Sequence, residues 1–387
     1  MRGSNKPETK EGLMIVRDFD IQPCTMRKED PNWRFALGAS PVCEGHIVRI
    51  ATADGVEGFG YASAVPHMGS IQGSLKAELE LFQPIVVGRD PRRLEAILTE
   101  LDRVIHSAPQ AKAAIDCALH DLLAHSLDVP LNILFGGPVR DAVPILRILA
   151  IKAPQEMAAQ AQKLVERGYR YLKIKVDGDI DEDVARVSAI RMQVGDEIHL
   201  TIDANQSYSP KDAISALNRM AECRIDLVEQ PVHKGDLAGL ALVTRMVPVT
   251  VEADEAAGSL HEIFELVSGR AVDAVSLKIP KLGGLRNTLA AARLCEAAHI
   301  KYRLGAAVGS RLLAAQALHL ACALPGMDYA CELGEFDRLL DDPFDGIEVE
   351  DGMLRLPQGS GSGVYLRSLA KVAEPPARSG EGAARTA

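Results

Sequence analysis

From residue 144 onward, short apolar runs alternate with amphipathic segments at a nearly constant interval. PILRILAI is followed by PQEMAAQAQKLVERGY, YLKIKV by DEDVARVSAIRMQVG, HLTIDAN by SPKDAISALNRMAEC, and IDLVEQP by DLAGLALVTRMV. VTVEADEAA, AVDAVSLKIPK and KYRLGAAVG repeat the pattern, and MDYACELG reads as one further strand. Strand–helix alternation requires a parallel sheet, because parallel neighbours need a crossover connection. Eight units in about 200 residues predict a (β/α)8 barrel, or one a unit short of it. An open doubly wound sheet would place a glycine-rich phosphate turn after its first strand, and no GxGxxG follows residues 144–151.

The chain before that point has a different rhythm. HIVRIATADGVEGFGYA alternates apolar and polar residues, turns at Asp54-Gly55, and alternates again, which is a hairpin signal. Residues 71–127 then read as helices; QAKAAIDCALHDLLAHSL sets Ala114, Cys117, Ala118 and Leu122 at helical spacing. Residues 14–135 are therefore expected to form a small α+β domain, strands first, with the barrel domain at 136–334. The polar stretch at 1–13 and the Pro/Gly/Ala-rich stretch at 371–387 are expected to be disordered tails, and Met14 is an alternative start.

Composition excludes several classes. A formal charge of −10, with no stretch both basic and aromatic, argues against nucleic acid as a partner. No run of about 18 apolar residues spans a membrane, and no leader pattern opens the chain. The seven cysteines are scattered without a CxxC pair, the pattern of reduced, buried thiols in a cytoplasmic protein.

Catalytic groups of barrel enzymes sit at the C-terminal ends of strands, so the polar residue closing each apolar run matters most. The second run ends with Lys173 and Lys175, the third with Asp203 and Asn205, the fourth with Glu229, the fifth with Asp254 beside Glu252 and Glu255, and the sixth with Lys278. Successive groups from Lys175 to Lys278 are one βα unit apart, which sets them at one height around one mouth. Three carboxylates then line one side, flanked by lysines on the two far sides.

Three carboxylates converging in a partly apolar cavity need a countercharge. Oxygen-only ligation without His or Cys favours Mg²⁺, with Mn²⁺ as the alternative. The plain alternative is that the same acids form salt bridges with Lys173, Lys175 and Lys278. A metal opposite two lysines suits abstraction of the proton α to a carboxylate, giving a metal-stabilised enediolate. A free lysine pKa near 10.4 is too high for a base at neutral pH, and a neighbouring cation lowers it. Lys173 beside Lys175 supplies that cation. Two bases on opposite faces permit racemisation or epimerisation.

At these residues the chain resembles the enolase superfamily, and within it the muconate lactonizing enzyme subgroup. KIK at 173–175, IDAN at 202–205, VEQP at 228–231, ADE at 253–255 and LKIPKLGG at 277–284 resemble that subgroup's motifs in order and spacing. The resemblance runs from about residue 14 to 366, and GMLRLPQGSGSGV is similar to the family's closing segment. It implies a modified TIM (β/α)8-type barrel with an N-terminal α+β capping domain, to which residues 335–370 return. It implies Mg²⁺ held by Asp203, Glu229 and Asp254, acid/base roles for Lys175 and Lys278, and Lys173 as the group that orients the carboxylate and tunes Lys175. Asn205 and Glu255 would support the ligands from behind. The mandelate racemase subgroup uses a His at the seventh strand end, and RLGAAVGS has none.

Two departures from the resemblance stand out. Relatives often carry Glu where this chain has Gly309. Dipeptide epimerases carry Asp-x-Asp at the eighth strand end, where this chain has Glu332 and Gly334, so the clamp for a peptide amine is half present. The capping-domain loops KEDPNWRFALG and SAVPHMGS are the expected specificity segments, with Trp33, Arg34, His67 and Glu332 as candidate substrate contacts. The expected activity is a Mg²⁺-dependent racemase or epimerase of an amino acid or N-substituted amino acid, a small-molecule carboxylate, in a cytoplasmic homo-oligomer. The same half-reaction followed by β-elimination gives a dehydratase, and ring closure gives a cycloisomerase. A metal-independent Schiff-base lysine aldolase is the reading from a different class.

Overall fold

The computed structural model describes residues 14–367. The tails expected at 1–13 and 371–387, and residues 368–370, lie outside the described residues.

The N-terminal part builds strands β1 (Val16–Arg27), β2 (Arg34–Phe35), β3 (Gly38–Ala39), β4 (Val42–Thr52) and β5 (Glu57–Ser63), then helices α1 (Gln72–Val86), α2 (Leu94–Val104) and α3 (Pro109–Ser126). The three long strands form an antiparallel sheet in the order β1-β4-β5. The short β2–β3 hairpin folds out of the loop between β1 and β4. The Asp54-Gly55 turn is in place, with Gly55 at φ 87°, a backbone conformation that glycine adopts freely. Helix α3 is buried along nearly its whole length, because β5 packs on one side of it and the barrel on the other. Its Asp116 accepts the backbone N–H of Leu285 at 2.7 Å, and its Asp121 accepts those of Phe59 at 3.0 Å and Ser362 at 2.7 Å.

After β6 (Ala142–Pro144), the chain makes β7 (Leu146–Leu149), α4 (Pro154–Glu166), β8 (Tyr171–Lys175), α5 (Ile180–Val194), β9 (His199–Asp203) and α6 (Pro210–Arg219). It continues with β10 (Ile225–Glu229), α7 (Leu237–Met246), β11 (Thr250–Ala253), α8 (Leu260–Ser268) and β12 (Ala274–Lys278). A one-turn α9 (Ile279–Leu282), α10 (Leu285–Ala297), β13 (Lys301–Gly305) and α11 (Arg311–Ala323) complete the alternation. β7 to β13 form one seven-stranded parallel sheet in sequence order. Asp179, Ser209, Asp236, Ser259 and Ser310 each cap the helix that follows by accepting a first-turn backbone N–H. These caps end each βα loop within a few residues and keep the strand ends close to one rim.

The eighth strand expected at MDYACELG is a correction: no strand forms there. Residues 331–332 close the ring by four backbone hydrogen bonds. Leu146 N–H donates to Cys331 O (3.1 Å), Cys331 N–H to Pro144 O (2.9 Å), Glu332 N–H to Leu304 O (2.9 Å) and Ala306 N–H to Glu332 O (3.0 Å). Two residues suffice to bridge β7 and β13, and the chain turns away at Gly334, where a Cβ would meet Ile145 at 2.6 Å.

The last segment contains β14 (Phe344–Asp345), β15 (Val349–Glu350), β16 (Met353–Arg355) and β17 (Tyr365–Leu366). β16 pairs with β6, and residues 361–362 dock beside α3 and the segment after it, where Leu131 N–H donates to Gly361 O at 2.8 Å. All seven cysteines are buried and unpaired. No helix among the described residues is long and apolar enough to cross a membrane.

Candidate active site

Strand register sets the rim. Lys175 pairs with Asp203 across β8–β9, and Asp203 with Glu229 across β9–β10. The next step is staggered. Glu229 pairs with Glu252, two residues before Asp254, and Glu252 in turn pairs with Ala274, four before Lys278. Barrel strands tilt against the barrel axis, so equal height around the ring requires such steps. Lys175 and Lys278 thus end strands separated by the three that carry the acids.

The lysines and carboxylates interlock. Lys173 Nζ lies 2.9 Å from Asp203 Oδ2 and 2.6 Å from Glu229 Oε2, and contacts Glu332. Lys175 donates to Asp203 at 2.5 Å and to Asn205 Oδ1 at 2.7 Å. Lys278 reaches Asp254 at 2.7 Å, Glu332 at 3.3 Å and Glu229 at 3.5 Å. Burial alone would push the acids up and the lysines down. For Asp203, Asp254 and Glu332 the surrounding lysines outweigh burial and hold the carboxyls below the usual range. Burial and the neighbouring Asp203 push Glu229 up. Burial pulls Lys173 and Lys278 down, but their carboxylate neighbours outweigh it and raise both ammonium groups. The acids read from sequence as metal ligands thus act here as countercharges to Lys173 and Lys278.

Among the described residues no three His, Cys, Asp or Glu side chains close on one point at metal-holding distance. The donor set nonetheless fits a hard cation. Asp203, Glu229 and Asp254 are buried, oxygen-only, and already share cations pairwise, Asp203 and Glu229 through Lys173 and Glu229 and Asp254 through Lys278.

Above the rim lies a cavity of about 240 Å³. Lys175, Asn205, Asp254, Lys278 and Glu332 form its floor, and Trp33, Phe35, Leu37, His67 and Met68 its capping-domain wall. Trp33 is buried under Arg338, whose guanidinium is 4.0 Å from the ring centroid. His67 packs against Phe35 with centroids 5.2 Å apart. Asn205 passes a hydrogen bond on to Glu255 at 3.0 Å, where burial raises the carboxyl to about 7. Arg34 is the misplaced candidate. Its side chain is 60% exposed and points at Asp177, 3.6 Å away, outside the cavity lining. Glu332 does line the cavity, but its carboxylate is engaged by Lys173 and Lys278 and is not free for a substrate ammonium. A side chain at Gly309 would crowd Leu313 and Tyr61 at 3.1–3.2 Å, so this position serves packing between capping domain and barrel.

Four residues escaped the sequence reading. Lys281 grips Asp254 through its Oδ1 at 2.7 Å and its backbone carbonyl at 2.6 Å. Gln230 Oε1 accepts the N–H groups of Asp254 and Ala256, both at 3.0 Å, and so fixes the end of β11. Arg303 binds Glu229 and Glu252 inside the barrel. Gly305 leaves the space through which Lys278 runs; a Cβ there would stand 2.9 Å from Lys278 Cγ. Only Lys281 and Gln230 had a signal, as polar residues within LKIPKLGG and VEQP.

Comparison with known proteins agrees with this geometry. Residues 25–136 match the mandelate racemase / muconate lactonizing enzyme N-terminal domain, and residues 156–370 the enolase C-terminal domain-like family. The chain is 35% identical to a hydrophobic dipeptide epimerase of Enterococcus faecalis, over 80% of this chain and 88% of that one. It is 34% identical to a chloromuconate cycloisomerase of Cupriavidus necator, over 84% and 89%. A solved Enterococcus faecalis dipeptide epimerase, in complex with Mg and the dipeptide L-Leu-L-Tyr, superposes with a TM-score of 0.87 at 34% identity, covering 91% of this chain and 99% of that one. The chain belongs to the enolase superfamily, in its muconate lactonizing enzyme subgroup.

Proposed function

We propose that this protein is a Mg²⁺-dependent racemase or epimerase that removes and returns the proton α to the carboxylate of an amino acid or N-substituted amino acid. The observation that carries this reading is the pair Lys175 and Lys278, which line one cavity from strands on either side of the carboxylate-bearing strands. Asp203, Glu229 and Asp254 would hold the cation, with Mn²⁺ as the alternative. Bound there, it supplies Lewis-acid stabilisation for a substrate carboxylate that takes on negative charge.

The chain's own groups do the rest. Lys175 in its neutral form takes the α-proton onto Nζ, steadied by Asp203 and Asn205. Lys278, as an ammonium, delivers its proton to the opposite face, and the configuration inverts. Run backwards, the two lysines exchange roles, so one pair serves both enantiomers. Lys173, fully buried beneath them, contributes a fixed positive charge that favours the carboxylate at this end of the cavity. Trp33, Phe35 and His67 line the other side. We also propose a cytoplasmic location, which the unpaired thiols support.

The test is proton NMR in D₂O with Mg²⁺ and a panel of N-acyl amino acids and dipeptides. α-Deuteration accompanied by the opposite configuration is the expected result. Cycloisomerisation is the second reading, supported by similarity to the chloromuconate enzyme, and it gives ring products without α-deuteration of recovered amino acid. Undiminished turnover in excess EDTA excludes the metal-dependent reading.

A further inference from the structure

One arginine outside the cavity holds two of the residues that shape it. Arg338 ends the short 3-10 helix Glu335–Arg338, in the segment that follows Glu332. It is buried, yet it is not part of the cavity lining. Its guanidinium lies 4.0 Å from the centroid of the Trp33 ring, and its Nη2 donates to the carbonyl of Ile148 on β7 at 2.9 Å. Trp33 and Ile148 both line the cavity. Glu335 supplies the countercharge, 2.9 Å from Nε. The backbone adds a second hold. Glu29 N–H donates to Arg338 O at 2.8 Å and Leu340 N–H to Arg27 O at 2.9 Å, so the two ends of this contact run antiparallel around a bridge between Lys28 and Leu339.

Trp33 depends on such a hold. It belongs to neither large apolar core, and it packs with Leu146, Ile148, Ala150 and Ala330, all of the barrel. The only other cation near its ring is Lys28, farther off at 5.5 Å. A buried guanidinium over an indole face is the strong form of this contact, and its fork can serve a carbonyl and a carboxylate at the same time. We propose that Arg338 is a positioning residue, which fixes Trp33 against Ile148 as one wall of the cavity and so sets how well a substrate fits. It touches neither substrate nor the reacting atoms. The consequence for turnover rests on the reaction proposed above; the placement of Trp33 does not.

Trp33 is the only tryptophan of the chain, so its fluorescence reports its own position. Two variants test the role. Arg338→Lys keeps a charge for Glu335 but has no flat face and no fork. Arg338→Met combined with Glu335→Gln removes both charges, so that no buried acid is stranded. In each folded variant, acrylamide quenching of Trp33 is expected to strengthen at least about twofold. The KM for α-deuteration of N-acetyl-L-leucine in Mg²⁺ buffer should rise at least about tenfold with kcat within about threefold, the mark of lost binding rather than lost chemistry. Unchanged quenching or unchanged KM in either folded variant overturns the proposal, as does a kcat that falls as far as kcat/KM. Loss of folding in both variants overturns it too, since Arg338 would then hold the whole fold and not the wall. Absence of deuteration by the wild type counts against the reaction, and quenching then decides the role of Arg338 by itself.

Discussion

Arg303 on β13 reaches through the barrel interior to Glu229 on β10, and the same Nη2 lies 2.6 Å from Glu252 on β11. All three residues are at most 1% exposed. One guanidinium thus anchors the carboxylate proposed to hold the cation from below, leaving Glu229 Oε1 on the side of Lys278. Removing one member of a buried ion network costs about 3–5 kcal/mol, because the remaining charges lose their partner. Arg303→Met is expected to lower stability by that amount in urea unfolding. Adding Glu252→Met to it should recover more than half, since one stranded charge is then gone. A single-variant loss below about 1 kcal/mol would show that Arg303 is not what neutralises the two acids.

The two lysines make different predictions from a single-base enzyme. Lys175→Ala and Lys278→Ala should each abolish racemisation, by at least about 100-fold for loss of a general acid or base. Each variant retains one base, so each should still exchange the α-proton of one enantiomer with D₂O, and the two variants should choose opposite enantiomers. Near-normal interconversion in either variant removes that lysine from the chemistry.

Much of this site was legible because βα periodicity fixes where each strand ends, and a polar residue at the end of an apolar run stands out. Lys175, Asp203 and Glu229 needed only that rule. Asp254 and Lys278 followed from the same rule, but the stagger that brings them to the height of the rim is imposed by barrel tilt and is not encoded locally. The pairing of Arg303 with Glu252 was hidden for another reason. Each looks like an isolated charge in its strand, and their pairing is a contact between strands two places apart in the ring. The eighth strand was over-read because apolar patterning in MDYACELG is the same whether two residues pair or five. Arg34 was over-read because nothing in its loop says that the β2–β3 hairpin turns it toward Asp177.

The capping domain makes its own demand through Gly60. A Cβ there would meet the carbonyl oxygen of Ala114 on α3 at 1.9 Å. Helix α3 has no room to yield, being held by Asp121 to Phe59 on one side and by Asp116 to Leu285 on the other. Gly60→Ala should cost about 3 kcal/mol, the upper end for overpacking. Gly73 lies in the first turn of α1 with nothing within 4 Å of an added Cβ. Gly73→Ala should instead stabilise by about 0.4–1 kcal/mol, by reducing the freedom of the unfolded chain. Thermal melts that fail to separate the two variants in sign contradict this packing.

His319 links acid stability to the docking of the C-terminal segment. Its Nδ1 accepts the N–H of Asn132 at 3.3 Å, so its Nε2 carries the proton and donates to the carbonyl of Ser362 at 3.1 Å. The fold thus selects the neutral ring, and protonation would turn Nδ1–H against the Asn132 N–H. Burial pushes the imidazole down to about 4, against an ordinary value of 6.5. Between those values the unfolded chain binds a proton that the folded chain refuses. The contribution is therefore complete above about pH 6.5, falls as the pH drops, and is lost below about 4, a total of about 3 kcal/mol. A glutamine at this position offers an amide donor for Ser362 and an oxygen for Asn132 without titrating. His319→Gln should flatten the fall in urea midpoint between pH 6.5 and 4, whatever its stability at neutral pH. Identical slopes for variant and wild type would mean that other groups carry the acid sensitivity and that His319 protonates without cost.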